Sequence, residues 1–144
     1  MNLEIAAITI AIISLIISFY NTWRDRSRLK ITSKIIGSNS VPEYGPVRIK
    51  ISAVNKGKRP IYIRIEGGYL KSGQWGGTYI GDTNFGYKLE EGQLYESDWT
   101  IEKISFSAPD FDDEFKNIFL EDSLGKRYKV PNSERYINDL KYYN

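Results

Sequence analysis

The chain contains no cysteine and no histidine. Without cysteine it has no disulfide framework, no thiolate zinc site and no cysteine nucleophile, and nothing favours an oxidising compartment. Without histidine it lacks the usual general base and the commonest transition-metal ligand. Any chemistry is left to carboxylates, lysines, tyrosines and hydroxyls, so we expect no cofactor and no metal.

The composition is otherwise that of a folded protein. The 144 residues are 41% hydrophobic and 14% aromatic, which is too apolar and aromatic for disorder. After the first two dozen residues enough chain remains for one domain with its own core. The net charge of +2 is too small to indicate nucleic acid as a partner.

The amino-terminal stretch Leu3–Tyr20 is apolar, with Glu4 its only charged residue. A helix from Leu3 to Trp23 would be about 30 Å long, the thickness of a bilayer core. Tyr20 and Trp23 would then lie at the interface, where aromatic residues are common. We predict one membrane crossing; the alternative is a buried core helix of a soluble protein.

The charges around this stretch predict its direction. No lysine or arginine precedes it, whereas Arg24, Arg26, Arg28 and Lys30 follow it. The positive-inside rule puts the amino terminus outside and the following domain in the cytoplasm. We expect the same four residues to contact anionic lipid headgroups. A cleaved signal peptide would need a basic start and a small-x-small site, which are absent.

One face of the predicted helix is small or polar, at alternating spacings of three and four. Its members are Glu4, Ala7, Ala11, Ser14 and Ser18. This spacing is typical of a left-handed helix pair, and small residues let membrane helices approach closely, so it predicts a homo-oligomer. The alternative is that alanine and serine are simply common in membrane helices.

From Leu29 the hydrophobic period changes from helical to alternating. This predicts strands at 29–36, 47–54, 61–66, 77–81, 94–99, 100–106, 117–122 and 126–130. Alternation in the third strand places Ile61, Ile63 and Ile65 on one face. Asparagine, glycine and proline mark turns at 55–60, 89–93 and 123–125. We predict a mainly β protein: a transmembrane helix over 1–23, a basic juxtamembrane segment over 24–30, and a β-sandwich over 31–131.

A short terminal helix over 132–144 completes the prediction. Asn132 or Ser133 would cap it, and Tyr136, Ile137 and Leu140 would face the body.

Three segments carry a resemblance to a known architecture. They are Val54-Asn-Lys-Gly-Lys-Arg-Pro-Ile61, Leu89-Glu-Glu-Gly92 and Asp122-Ser-Leu-Gly-Lys-Arg-Tyr128. With them, residues 30–130 resemble the immunoglobulin-like or fibronectin-like sandwich of small bacterial and prophage proteins that are anchored by one helix. The resemblance implies a fold and no activity. The cysteine pair of antibody-type domains is absent.

A glycine-rich stretch, 67–86, is the best candidate for a binding loop. It contains Tyr69, Trp75, Tyr79 and Phe85, and glycine with aromatic residues is typical of recognition loops. The alternative is that these aromatic side chains fill the sandwich.

Two charged clusters complete the candidates. Lys56, Lys58 and Arg59 form a basic turn that suits anionic lipid, nucleotide or phosphate, or that is simply solvated. The acidic residues at 110–114 lack the spacing and glycine of a calcium loop, so we expect an exposed loop.

These features support a leading functional hypothesis and an alternative. The first is a non-catalytic module of a bacterium or its virus, tethered to the inner membrane, that binds a cytosolic protein or senses a small ligand. The alternative is an oligomeric effector that perturbs or permeates the bilayer when its domain is triggered, as in antiphage defence. A carboxylate- or lysine-based enzyme comes third because no convergent site is visible.

Overall fold

The computed structural model describes residues 3–38, 42–81, 85–108 and 111–142. Its first element is helix α1, Leu3–Arg24. The part from Leu3 to Trp23 is long and apolar enough to cross a membrane, and none of it is buried against the rest of the chain. It is therefore not a core helix of the domain that follows.

In the described part of the chain, ten strands and two short helices follow α1. The strands are β1 Leu29–Ile36, β2 Arg48–Asn55, β3 Ile61–Tyr69, β4 Trp75–Tyr79, β5 Tyr87–Leu89, β6 Leu94–Trp99, β7 Ser105–Ala108, β8 Phe111–Glu114, β9 Phe119–Asp122 and β10 Arg127–Lys129. The helices are α2 Ile101–Ile104 and α3 Ser133–Tyr142, and Pro42–Tyr44 forms a 3-10 turn. The predicted mainly β architecture between two flanking helices is confirmed.

The strands form two antiparallel sheets and a separate hairpin. Sheet I has the order β1-β2-β6, and β7 pairs with β8 alone. Sheet II has the order β10-β9-β3-β4, and β5 pairs with β3 beside β4. Apolar residues of both sheets meet in one core that α2 and α3 also enter. Its buried members include Ile49, Ile51, Ala53, Ile61, Ile63, Leu89, Trp99, Ile104, Leu120, Ile137 and Leu140.

Four turns lie at the end of the sandwich where α1 exits, which we call the helix end. They are 25–28, 55–60, 90–93 and 123–126. Backbone hydrogen bonds join the first three, from Lys56 N–H to Arg28 O and from Gly92 N–H to Asn55 O. The fourth is bound to the start of β3, where Ser123 N–H donates to Tyr62 O. The opposite end, which we call the far end, holds the β3–β4 turn at 70–74 and the start of α3.

Most predicted strands are confirmed, but the second half of the chain needs corrections. The predicted strand 100–106 begins with helix α2, because Ile101 and Ile104 are three residues apart, which suits one helical turn, and Ile104 is fully buried. The predicted strand 77–81 begins earlier, at Trp75, and β5 was not predicted.

The predicted acidic loop 110–114 is wrong for its described part, where Phe111–Glu114 forms β8. Asp110 lies outside the described residues. Asp113 accepts a hydrogen bond from the Ser72 backbone, and Glu114 forms ion pairs with Lys71 and Lys141, so both carboxylates have structural partners. These contacts tie the β7–β8 hairpin to the far end.

The predicted terminal helix is present and begins at Ser133, one residue after the predicted start at 132. Asn132 occupies the capping position and its carbonyl accepts the Tyr136 N–H, whereas the buried Ser133 hydroxyl accepts the Ile118 N–H. Ile137 and Leu140 are buried and Tyr136 packs against the core, which confirms the predicted face.

Candidate interaction surface

A bulge in β3 decides which side chains face out of sheet II. The pairing with β9 shifts register between Ile63 and Ile65, which leaves Arg64 as the extra residue. Beyond it the alternation is inverted. Glu66 points towards sheet I, where its carboxylate accepts hydrogen bonds from β6, and Ile65 is buried outside the core that the sheets share. The prediction that Ile65 shares a face with Ile61 and Ile63 is therefore wrong.

The inversion turns Tyr69 outwards, into a cluster on the outer face of sheet II. Tyr69 is paired with Trp75 across β3 and β4, and Phe119 lies on the neighbouring strand β9. The Tyr69 and Phe119 rings are 5.3 Å apart, and those of Trp75 and Phe119 6.4 Å. The Arg127 guanidinium lies over all three rings, 4.6 Å from the Trp75 centroid, 4.7 Å from Phe119 and 5.4 Å from Tyr69. We call these four residues the aromatic–arginine face.

A buried carboxylate fixes this arrangement from one side. Only 7% of the Glu121 side chain is exposed, and it accepts hydrogen bonds from Arg127 at 2.8 Å and Arg64 at 3.1 Å. Arg127 also donates to the Tyr69 hydroxyl at 2.9 Å. Burial alone would raise the pKa of Glu121, but the hydrogen bonds and charges of Arg127 and Arg64 outweigh it and lower that pKa. The guanidinium is thus held in one position before any partner arrives.

Two of the three rings of this face remain open to solvent, whereas Phe119 beneath them is 2% exposed. Trp75 is 49% exposed and Tyr69 38% exposed. Tryptophan, tyrosine and arginine are the residues that most often dominate binding energy at protein interfaces. The alternative prediction is that the aromatic residues of the glycine-rich stretch fill the sandwich. Trp75 and Tyr69 do not, because both are exposed on the outer face of sheet II.

The outer face of sheet I has a different character. Arg48 pairs with Asp98 at 3.2 Å, and Lys50 with Glu96 at 3.0 Å, across β2 and β6. Such cross-strand ion pairs are typical of a solvated face. Of the two outer faces, that of sheet II therefore has the composition of a recognition surface.

The edge of sheet II next to this face is unprotected. Strand β4 reads Trp-Gly-Gly-Thr-Tyr, has neither charge nor proline, and none of its five residues is buried. Natural edge strands usually carry charge or proline, which prevents pairing with another chain. Strand β1, at an edge of sheet I, has Lys30 and Lys34. Among the described residues, no strand pairs with the outer edge of β4, which includes Trp75.

A cleft of about 460 Å³ lies between β4 and β6. Glu66 lines it, together with Tyr79, Trp99, Lys103 and Phe115. The Glu66 carboxylate already accepts hydrogen bonds from the Tyr95 hydroxyl at 3.0 Å, the Ser97 hydroxyl at 2.6 Å and the Trp99 indole. Burial, followed by the Glu66 charge, raises the pKa of Tyr95, so this phenol stays a donor. Glu66 therefore links the two sheets.

The other predicted aromatic residues lie off the aromatic–arginine face. Tyr79 is 72% exposed at the other end of β4, with the Arg64 guanidinium 6.0 Å from its ring, and Phe85 is exposed in the segment before β5. Residues 82–84 of the predicted loop lie outside the described residues. The structure thus joins Tyr69 and Trp75 and leaves Tyr79 and Phe85 separate.

The predicted basic and helical sites lie elsewhere. Lys56, Lys58 and Arg59 are exposed at the helix end. Arg26, Arg28 and Lys30 follow α1, and the Arg28 guanidinium lies 4.4 Å from the Trp23 ring; the side chain of Arg24 is outside the described residues.

The predicted packing face of α1 is free of contacts with the domain. Glu4, Ala7, Ala11, Ser14 and Ser18 are all exposed along this helix. Self-association through them stays a prediction.

Sequence reasoning missed Phe119, Glu121, Arg127 and Arg64. The first three occupy positions that alternate outwards along the predicted hairpin 117–130, so its register carried a usable signal. Arg64 contacts Glu121 because it lies at the bulge in β3. No turn residue or glycine at this position of the sequence indicates a bulge. Within the described ranges, no group of three or more acidic residues is placed to hold a metal ion.

Comparison with protein-family models, curated proteins and solved structures finds no match for this chain. The functional argument therefore rests on the surface itself.

Proposed function

We propose that this protein is a membrane-tethered interaction module that binds a protein partner through the aromatic–arginine face. Helix α1 would cross the inner membrane of a bacterium with its amino terminus outside, because the basic residues follow the apolar span. The sandwich would then present its surface to the cytosol. No catalytic step is part of the proposal.

The observation that carries the proposal is the exposed, pre-positioned cluster of Trp75, Tyr69 and Arg127. Contiguous exposed apolar patches are uncommon on monomeric proteins and often mark interaction sites. Here Arg127 is held by Glu121 and by the Tyr69 hydroxyl, so little side-chain freedom is left to lose on binding.

The neighbouring edge suggests how a partner would bind. An extended segment that pairs with β4 gains main-chain hydrogen bonds, and its side chains reach the aromatic–arginine face on alternate positions. A small ligand in the cleft beside Glu66 is a weaker candidate than a protein partner, because the Glu66 carboxylate already accepts three hydrogen bonds from the protein.

Trp75→Ala tests the proposal, with Tyr44→Ala as a matched control. Both rings are exposed, but Tyr44 lies in the 3-10 turn 42–44, away from sheet II. The full chain and both variants would be purified in mild detergent from cells that contain the protein, and captured proteins quantified by mass spectrometry. Circular dichroism would verify folding.

We expect a partner that the original chain and Tyr44→Ala retain and that Trp75→Ala loses. Truncation of a hot-spot tryptophan costs about 2 kcal/mol or more, roughly thirtyfold in affinity. Equal capture by folded Trp75→Ala and by Tyr44→Ala would contradict the proposal.

A further inference from the structure

The basic turn 55–60 is fixed directly to the exit of α1. The Lys56 N–H donates to Arg28 O at 2.6 Å. Gly57 packs so closely on the chain after α1 that a Cβ atom there would be 2.0 Å from Arg26 O and 2.6 Å from Arg28 N. Only glycine fits this approach. The turn therefore cannot swing away from the point where the helix leaves the domain.

Buried Asn55 gives the turn its shape. Its side-chain amide donates to Arg59 O at 2.8 Å and to Leu89 O at 3.0 Å, and its Oδ1 accepts the Gly57 N–H at 2.9 Å. Asn55 itself is fully buried. The positions of Lys56, Lys58 and Arg59 are thus built by the fold.

The β9–β10 hairpin tip lies beside the turn. Ser27, Pro60 and Leu124 line one small cavity of about 50 Å³, which joins the helix exit, the basic turn and the tip. Leu124 is 91% exposed, more than any other large apolar residue that the structure describes, followed by Tyr142 at 90%. A leucine on a rigid hairpin tip is held out of the core.

Buried Asp122 keeps the tip rigid. Its carboxylate accepts the backbone N–H groups of Leu124 and Lys126, both at 2.9 Å, and the Tyr128 hydroxyl. Burial, and then the Asp122 hydrogen bond and charge, raise the pKa of Tyr128 to about 12. Gly125 provides the positive φ of 78° that the turn needs.

The charge of this end is predominantly positive. Lys56, Lys58 and Arg59 are exposed, and in the part of the chain that the structure describes none of them forms an ion pair. Arg26, Arg28 and Lys126 are exposed at the same end. The acidic residues here are Asp25, Glu90, Glu91 and the buried Asp122, of which Glu90 pairs with Lys88 at 2.7 Å.

We propose that the helix end is a second membrane contact: Lys56, Lys58 and Arg59 lie against anionic lipid headgroups and Leu124 enters the interfacial layer of the same bilayer. The inference rests on the proposed crossing by α1. Charge complementarity selects lipid as the occupant, since the turn is fixed against residues 26–28, where α1 leaves the domain. Docking would hold the aromatic–arginine face at a set orientation to the membrane.

Because the chain has no cysteine, single cysteines can carry a fluorescent probe. Ser123→Cys reports on the hairpin tip, Asn138→Cys on exposed α3 at the far end, and Ser14→Cys on the middle of α1. The full chain would be placed in nanodiscs of phosphatidylcholine alone or mixed with phosphatidylglycerol. Quenching by spin-labelled lipid measures how close each probe is to the bilayer.

We expect quenching at position 123 in anionic discs, little in neutral discs, and none at 138 in either. Each basic residue near an anionic surface shifts occupancy by about fivefold, so changing Lys56, Lys58 and Arg59 together to Gln should return the signal to its neutral-disc value. The matched control changes three basic residues of the far end, Lys116, Lys129 and Arg135, to Gln and should leave the signal unchanged.

Leu124→Ser tests the apolar part. In this variant, quenching by acyl-chain labels should fall and quenching by headgroup labels should stay the same. If quenching by acyl-chain labels were the same as in the original chain, the insertion of Leu124 would be overturned. If inorganic phosphate altered the probe in neutral discs as anionic lipid does, the turn would be an anion site instead of a docking surface, and the proposal would be wrong.

The two proposals fail separately. Quenching at position 14 with no response to anionic lipid at position 123 would overturn the docking and leave the membrane tether intact. No quenching at position 14 would overturn both the crossing by α1 and the docking built on it.

Discussion

Asn55→Ala is expected to destabilise the sandwich strongly although it removes only a small side chain. The Asn55 side chain makes three hydrogen bonds in a site without solvent, two to carbonyls and one from the Gly57 N–H. Alanine leaves all three partners unsatisfied. At about 1 kcal/mol for each, the free energy of unfolding should fall by about 3 kcal/mol.

Urea unfolding of the full chain in detergent micelles, followed by circular dichroism of the β signal, measures this loss. Asn138→Ala is the control: Asn138 is exposed on α3, and its change should stay within about 0.5 kcal/mol. A loss below about 1 kcal/mol for Asn55→Ala would refute the view that the buried amide organises the basic turn.

Two further predictions follow from other parts of the molecule. Arg127 and Arg64 lower the pKa of Glu121 in the folded chain. The Glu121 charge therefore stabilises the fold at any pH above the ordinary glutamate pKa near 4.5, and this stabilisation is lost as the pH falls through the lowered pKa. Unfolding measured over this acidic range should therefore depend less on pH in Glu121→Gln, and an unchanged pH dependence would refute the role of the arginines. If the small face of α1 packs against a second copy, Ala7→Leu with Ala11→Leu should lower crosslinked oligomer in membranes, and unchanged yield would contradict self-association.

The orientation of the domain connects the two proposals. If the helix end rests on the bilayer, strands β3 and β9 run away from the surface and the aromatic–arginine face lies on their outer side. Tyr69 ends β3 at the far end, several residues beyond the basic turn. A partner would then meet a surface with a fixed height above the membrane, which reduces the orientational freedom that binding must otherwise remove.

The sequence by itself determined the elements whose cause is local. A continuous apolar run makes α1, and the alternation of Leu29–Ile36 gives β1 with the same bounds in sequence and structure. Asn55 with Gly57, and Asp122 with Gly125, mark the two turns because part of each turn closes locally: Asn55 accepts the Gly57 N–H, and Asp122 accepts the Leu124 N–H.

Only the tertiary structure decided which side chains act together. Arg64 is an extra residue only in the pairing of β3 with β9. The sequence of β3 alone therefore does not reveal that Glu66 points inwards and Tyr69 outwards. Arg127 reaches Tyr69 and Trp75 from more than fifty residues away because sheet II brings β10, β9, β3 and β4 side by side. Hydrophobic periodicity fixes the face of each strand, whereas register and strand order, set by packing of the whole core, decide what that face contains.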